Sequence, residues 1–196
     1  MVFAVLLVGL TGGIAAGKTY VANIFEQLNT PVIYADNIAK ELIYTDQDIN
    51  NKIKQYFNIL DLESNIKNIK AQVFNNKNHR LFLEKLIHPK VIERIILQIK
   101  SLKKNSCIIE IPMLHNLIQI FKTISINKII LISCNQNLQV SRAMHRDKLS
   151  KTQVMSIIKS QMPEKFLHHF ADHILDGNEL KNLYAQTVNL NKQLLL

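Results

Sequence analysis

Two short segments hold the residues best suited to chemistry. The first, GLTGGIAAGKTY over residues 9–20, places Gly12, Gly17, Lys18 and Thr19 at G-x-x-x-x-G-K-[ST] spacing, and four of the chain's five glycines lie between Gly9 and Gly17. Bare backbone at that density lets successive N–H groups turn inward and form an anion nest at the positive end of the following helix. In such a loop the lysine reaches the β and γ phosphates of a nucleotide, and the threonine hydroxyl ligates Mg²⁺. The expected phosphate cradle comprises Gly13, Ile14, Ala15, Ala16, Gly17, Lys18, Thr19 and Tyr20, with Thr19 also on the metal. The second segment, PVIYAD over residues 31–36, ends in Asp36. An acid at the carboxyl end of a strand in an open α/β sheet faces the ligand crevice. There it either accepts a proton from an attacking hydroxyl or holds Mg²⁺ through water. The alternative is an Asp that caps the helix beginning NIAKEL.

Those residues need a frame. Short β-rich runs, FAVLLVGL (3–10), PVIYAD (31–36), CIIEIP (107–112), KIILISC (128–134) and DHILD (172–176), alternate with longer stretches of helical periodicity. This is the pattern of a parallel sheet covered on both faces. From Asn37 to about Asn105 the chain reads as a helical insertion, and within it RLFLEKLIHPKVIERIILQIKSLKK (80–104) carries Pro89, expected to bend or break the helix. A second helical stretch, residues 135–170, separates the last two strands.

Bulk properties narrow the class. At 196 residues, 47% hydrophobic and 20% charged, the chain fits one α/β core with insertions rather than two domains. No apolar run approaches the ~18 residues of a membrane span. The apolar N-terminus lacks a basic flank and runs into the glycine loop, so it reads as a strand rather than a signal peptide. A soluble, cytoplasmic protein is expected, a monomer or weak homo-oligomer without a membrane partner. Cys107 and Cys134 fall in apolar strand runs at no metal spacing and are expected to be reduced, packed thiols. The net charge of +9 is spread along the chain without a basic stripe, so no nucleic-acid surface is expected, although a phosphate-rich small substrate would favour a basic cleft.

A phosphate loop is shared by kinases, switch GTPases and mechanical ATPases. This chain resembles the dephospho-CoA kinase family in LTGGIAAGKTYVANIF, PVIYADNIAKEL, LEKLIHP, IIEIPMLHN, VSRAMHRD and SQMPEKFLHHFADHILD, which follow the family's order and similar spacing over nearly the whole chain. The resemblance implies an α/β fold, a P-loop NTPase-type three-layer sandwich with a five-stranded parallel sheet. Its core would span about 1–36, 106–135 and 171–196, with an acceptor-binding helical insertion at about 37–105 and a helical lid at about 136–170. It implies ATP-dependent phosphorylation of the ribose 3′-hydroxyl of dephospho-coenzyme A, the last step of coenzyme A synthesis, with Mg²⁺. Carried over by position, Asp36 is the general base, Lys18 the phosphate lysine, Arg142 the lid arginine on the transferring phosphate, and Glu110 an acid that binds Mg²⁺ through water. His88 belongs to an HP motif near the acceptor, with a buried helix histidine as the other reading. Arg146 and Asp147 resemble lid residues, and as i,i+1 neighbours they are not expected to pair.

The departures from the family pattern are Tyr34 for an acid, Asn116 for a glutamate, Leu167 for a basic residue and His173 for an acid. In addition Gly177-Asn178 stands for Asn-Gly, and Ala15-Ala16 for a Gly-Ser pair. They bear on substrate affinity and the adenine contact. Two alternatives stay open: another P-loop kinase with a nucleoside or nucleotide acceptor, and a degenerate nucleotide-binding protein without turnover.

Overall fold

The computed structural model describes residues 5–112 and 117–194. Asn116 therefore lies outside the described residues, as does the start of the first apolar run. In chain order the elements are β1 (Leu6–Gly12), α1 (Lys18–Gln27), β2 (Val32–Tyr34), α2 (Ala35–Thr45), α3 (Gln47–Phe57), α4 (Leu62–Asn75) and α5 (Lys77–Ser101). Then come β3 (Ser106–Glu110), α6 (Leu117–Ile124), β4 (Lys128–Ser133), α7 (Gln136–Asp147), α8 (Lys151–Ser160), α9 (Glu164–Leu167), β5 (His173–Asp176) and α10 (Leu180–Leu194). The five strands form one parallel sheet in the order β2-β3-β1-β4-β5.

Both faces of the sheet are buried, which is why its strands are apolar at successive positions. Leu7, Ile33, Cys107, Ile109 and Leu131 face one layer, packed with Ile38, Leu42, Ile53, Ile95 and Phe121 from α2, α3, α5 and α6. Val8, Leu10, Ile108, Ile130, Ile132 and Leu175 face the other, against Val21 and Phe25 of α1 and Leu183 and Leu190 of α10. The expected three-layer sandwich follows from this alternation. Cys107 and Cys134 are free and buried, as expected. Among the described residues no helix is long and apolar enough to cross a membrane.

Two details differ from the sequence reading. Pro89 does not break its helix: α5 runs unbroken for 25 residues. The proline forfeits one backbone bond, but Ile87, Val91 and Ile95 form a buried stripe spanning it. Lys90 and Arg94 also reach Asp46 and Glu41 beside α2, at 3.9 and 3.8 Å. Packing on both sides of the proline outweighs the lost bond. Asp36 is not a strand end. β2 stops at Tyr34, paired with Glu110, the last residue of β3, and the chain turns helical at Ala35.

Candidate active site

The loop between β1 and α1 is built from close backbone approaches. Gly17, the N-cap of α1, sits at φ 119°, a region that L side chains avoid. A Cβ on Gly13 would meet Oε1 of Gln139, so a larger residue there would displace the end of that side chain. The Lys18 ammonium curls back over the loop, donating to the carbonyls of Gly12 at 2.8 Å and Gly13 at 3.0 Å. That geometry places a cation at the mouth of the nest, beside the amides that an anion would engage. Thr19 is exposed beside it.

Two carboxylates face this lysine. Glu110 is buried, and because β3 lies between β1 and β2, its strand end falls beside both the loop and Asp36. Asp36 is the second residue of α2, whose N-cap is Tyr34, with no side-chain cap bond. The helix-capping role is therefore not the one Asp36 plays. Asp36 is exposed and lines the cleft beside Lys40 and Glu110. Burial raises the Asp36 pKa, and Lys18 and Lys40 pull it back. Burial likewise raises Glu110, opposed by Lys18 and reinforced by Asp36. Lys18 is lowered by burial, with Glu110 and Asp36 restoring part of its proton affinity. Lys40, one turn after Asp36 on the same face of α2, completes the group.

Two cavities meet at these residues. One, of about 540 Å³, is walled by the loop from Ala15 to Tyr20 and by Ser141, Arg142, His145, Arg146 and Leu180. The other, of about 630 Å³, is lined by Asp36, Asn37, Lys40, Glu110 and Tyr34 on the sheet side and by Asp147, Ile157 and Gln161 on the helical side. Ala15, Lys18, Thr19 and Arg146 line both. A group bound in the first cavity can thus be handed to a group bound in the second across Lys18.

The two arginines of α7 divide their tasks. Arg142 is tied down, donating at 2.7 Å to the Gly177 carbonyl and at 2.7 Å to the Asn178 carbonyl, so it braces α7 against the turn after β5. Arg146, one turn further on, projects into the shared wall and lowers the Lys18 pKa further. Contrary to the sequence expectation, Arg146 and Asp147 do pair, through Nε–Oδ1 and Nη2–Oδ2 contacts of 2.8 Å each. Asp147 ends α7 and Lys148 turns left-handed at φ 55°, which lets the long arginine side chain fold onto its neighbour.

The sequence pattern of the dephospho-CoA kinase family matches residues 6–182. The chain belongs to the dephospho-CoA kinase family. A dephospho-CoA kinase of Coxiella burnetii is 35% identical over 89% of this chain and 88% of its own length. One from Legionella pneumophila strain Paris is 35% identical over 96% and 94%. Among solved structures, dephospho-CoA kinase from Campylobacter jejuni superposes with a TM-score of 0.64 at 27% identity, covering 96% of this chain and 97% of that one. TT1252 from Thermus thermophilus shares the fold at a TM-score of 0.81 and 21% identity, covering 98% of each chain.

The structure brings together Lys18, Thr19, Asp36 and Glu110 as the sequence suggested, and gives Arg142 a bracing contact instead of a place in the shared wall. His88 lies beside Asp36 on a small cavity of about 50 Å³, its pKa lowered by burial. At the family departures, Tyr34 fills the place of an acid with a phenol that donates to Asn23 at 3.4 Å, its pKa pushed up to about 12 by burial and by Glu26. Leu167 is fully buried in the core that α5 and α6 share. His173 opens β5 opposite Ile130. The Asn178 side chain is engaged by the Asn135 N–H at 2.9 Å. Sequence reasoning missed Lys40 and left Gln161 without a role. The first was visible in its spacing from Asp36; the second lies in the SQMPEKF segment, which says nothing of the distant amide it engages.

Proposed function

We propose that this chain transfers the γ-phosphoryl group of ATP to the ribose 3′-hydroxyl of dephospho-coenzyme A, giving ADP and coenzyme A, the last step of coenzyme A synthesis. One observation carries the reading: a nucleotide-sized cavity and a second cavity holding Asp36 share Lys18, Thr19 and Arg146 as a common wall. Helices α2 to α5 would bind the acceptor, and α7 to α9 would act as the lid.

In this reading the 3′-oxygen attacks the γ-phosphorus, the bond to the β–γ bridging oxygen breaks, and ADP leaves. The hydroxyl proton passes to the Asp36 carboxylate, whose raised pKa makes it a stronger base. Because such transition states are loose, Asp36 serves as much to orient the hydroxyl as to deprotonate it. Lys18 and Arg146 neutralise charge on the transferring group. Arg146 is given this task over Arg142, whose guanidinium is already committed to two carbonyls.

Among the described residues no group of three or more His, Cys, Asp or Glu is placed to hold a metal. That suits Mg²⁺, which keeps waters and takes one or two carboxylates plus substrate phosphates. Thr19 would ligate it directly and Glu110 through water, and the ion would supply charge neutralisation on the phosphates. A coupled ADP-release assay comparing dephospho-CoA with adenosine and nucleoside monophosphates tests the assignment. Turnover with nucleosides and none with dephospho-CoA would refute it.

A further inference from the structure

Two glutamines grip the phosphate loop from outside. Gln139, buried in α7, presses Oε1 against Gly13 and donates from Nε2 to the Cys134 carbonyl at 2.7 Å. Gln161, the C-cap of α8, accepts the Ile14 N–H on Oε1 at 3.2 Å, across 147 positions of sequence. Both also line a cavity of about 340 Å³ beneath the loop. The start of α8 is itself fixed by a capping box between Ser150 and Gln153, so Gln161 is delivered by an anchored helix.

The residue after Ile14 explains why a grip is needed. Ala15 lies at φ 53°, the left-handed region that a side chain disfavours. Inside the loop, the turn around Ala15 is closed by the bond from the Ala16 N–H to the Gly13 carbonyl at 3.2 Å. Strained turns persist only where their surroundings over-determine them.

We propose that Gln161 is a positioning residue. By accepting the Ile14 N–H it holds the left-handed turn at Ala15, so that the amides after it stay aimed at the donor phosphates. The α8–α9 segment is thereby coupled to nucleotide binding. The inference rests on the kinase reading for the identity of the nucleotide, and it assigns Gln161 no contact with a reacting atom.

The test is a double-mutant cycle on MgATP affinity by titration calorimetry, with thermal melts to confirm folding. Gln161→Met keeps length and removes the acceptor. It is expected to weaken MgATP binding roughly five- to tenfold, the value of one net hydrogen bond. In an Ala15→Gly background, where the left-handed turn needs no grip, the same substitution should weaken binding less than about twofold. Equal losses in both backgrounds, or no loss in the original one, overturn the proposal. A second arm needs no nucleotide: hydrogen exchange at the Ile14 amide should accelerate in Gln161→Met and return toward the original rate in Gln161→Glu, which keeps an acceptor oxygen. Unchanged exchange in Gln161→Met overturns the grip as well. Failure of the original protein to bind MgATP would sink the kinase reading, and the exchange arm would still decide the grip.

Discussion

Arg142→Ala and Arg146→Ala, measured side by side, should separate into a stability defect and a catalytic one. Arg142 makes two 2.7 Å charge-assisted bonds to the carbonyls of Gly177 and Asn178, from a half-buried position. Hydrogen bonds to charged groups are worth about 1.5–3 kcal/mol each. Here water can replace the guanidinium at least at the exposed Asn178 carbonyl, so we take about 2 kcal/mol for the pair. For a chain of this size that corresponds to a Tm lower by about 4–8 °C. Its kinetic effect should fall on KM for ATP, because α7 and the turn after β5 flank the nucleotide cavity. Arg146 is 59% exposed and, among the described residues, pairs with its neighbour Asp147. A surface pair of that kind contributes about 0–1 kcal/mol, so Tm should move by no more than about 4 °C. Its cost should appear in kcat, lowered roughly 10²-fold or more with KM for ATP little changed, the signature of an interaction made in the transition state. Differential scanning fluorimetry and steady-state kinetics on the two variants decide. If Arg142→Ala loses kcat at an unchanged Tm while Arg146→Ala is silent, the division of tasks is reversed and the reasoning fails.

Three further outcomes are expected. Asp36→Asn should lower kcat by roughly 10²-fold with MgATP affinity and Tm preserved, and near-normal turnover would remove Asp36 from the mechanism. Glu110→Gln should be stabilising in a pH-dependent way: burial lifts the Glu110 pKa above its ordinary 4.5, so the folded state holds a proton that the unfolded chain has released. Stability of the unsubstituted protein then falls as pH rises from about 4.5 through the folded value, and the variant's Tm advantage should grow across that window; an advantage that shrinks with rising pH would contradict it. Ala15→Gly removes about 1–2 kcal/mol of left-handed strain against about 0.5–1 kcal/mol of unfolded-chain entropy. A Tm rise of about 1–3 °C is therefore expected, and a lower Tm would show that Ala15 is not strained.

The features legible in sequence were those whose cause is local. Glycine density and the following lysine and threonine announce the nest because the backbone itself makes it. The element that carries Asp36 was misjudged because the end of β2 is set by where β3 stops pairing with it, a fact held by Glu110 some seventy residues away. The continuity of α5 through Pro89 depends on α2, with which it pairs through Lys90 and Arg94. The i,i+1 rule failed at Arg146 because it describes side-chain directions inside a helix, and Asp147 is the last residue of one. Gln161 was visible as part of the SQMPEKF segment, but its role was not, since its partner is a backbone amide that any residue at position 14 would supply.

The charge of the cleft shows how an anionic donor and an anionic acceptor share it. The chain carries a formal net charge of +9, yet the Asp36 cavity is lined by Lys18, Lys40 and Arg146 against Asp36, Glu110 and Asp147. That cavity is balanced, whereas the adjoining nucleotide cavity is lined by Lys18, Arg142 and Arg146 and by no carboxylate, so the positive charge of the cleft is gathered on the donor side. Each of Lys18, Asp36 and Glu110 is pushed toward neutrality by burial; Lys18 holds both carboxylates charged and they hold it charged, while Asp36 pushes Glu110 further toward its neutral form. Placing phosphates beside Lys18 strengthens its hold on its proton but works against both carboxylates. A divalent cation held by Thr19 and, through water, by Glu110 would remove that conflict, since it would compensate the phosphates and favour the ionised carboxylates. In the proposed reaction the loop amides, Lys18 and Arg146 would stabilise the transferring charge, a bound metal would add to them, and Asp36 would stay free to receive the proton.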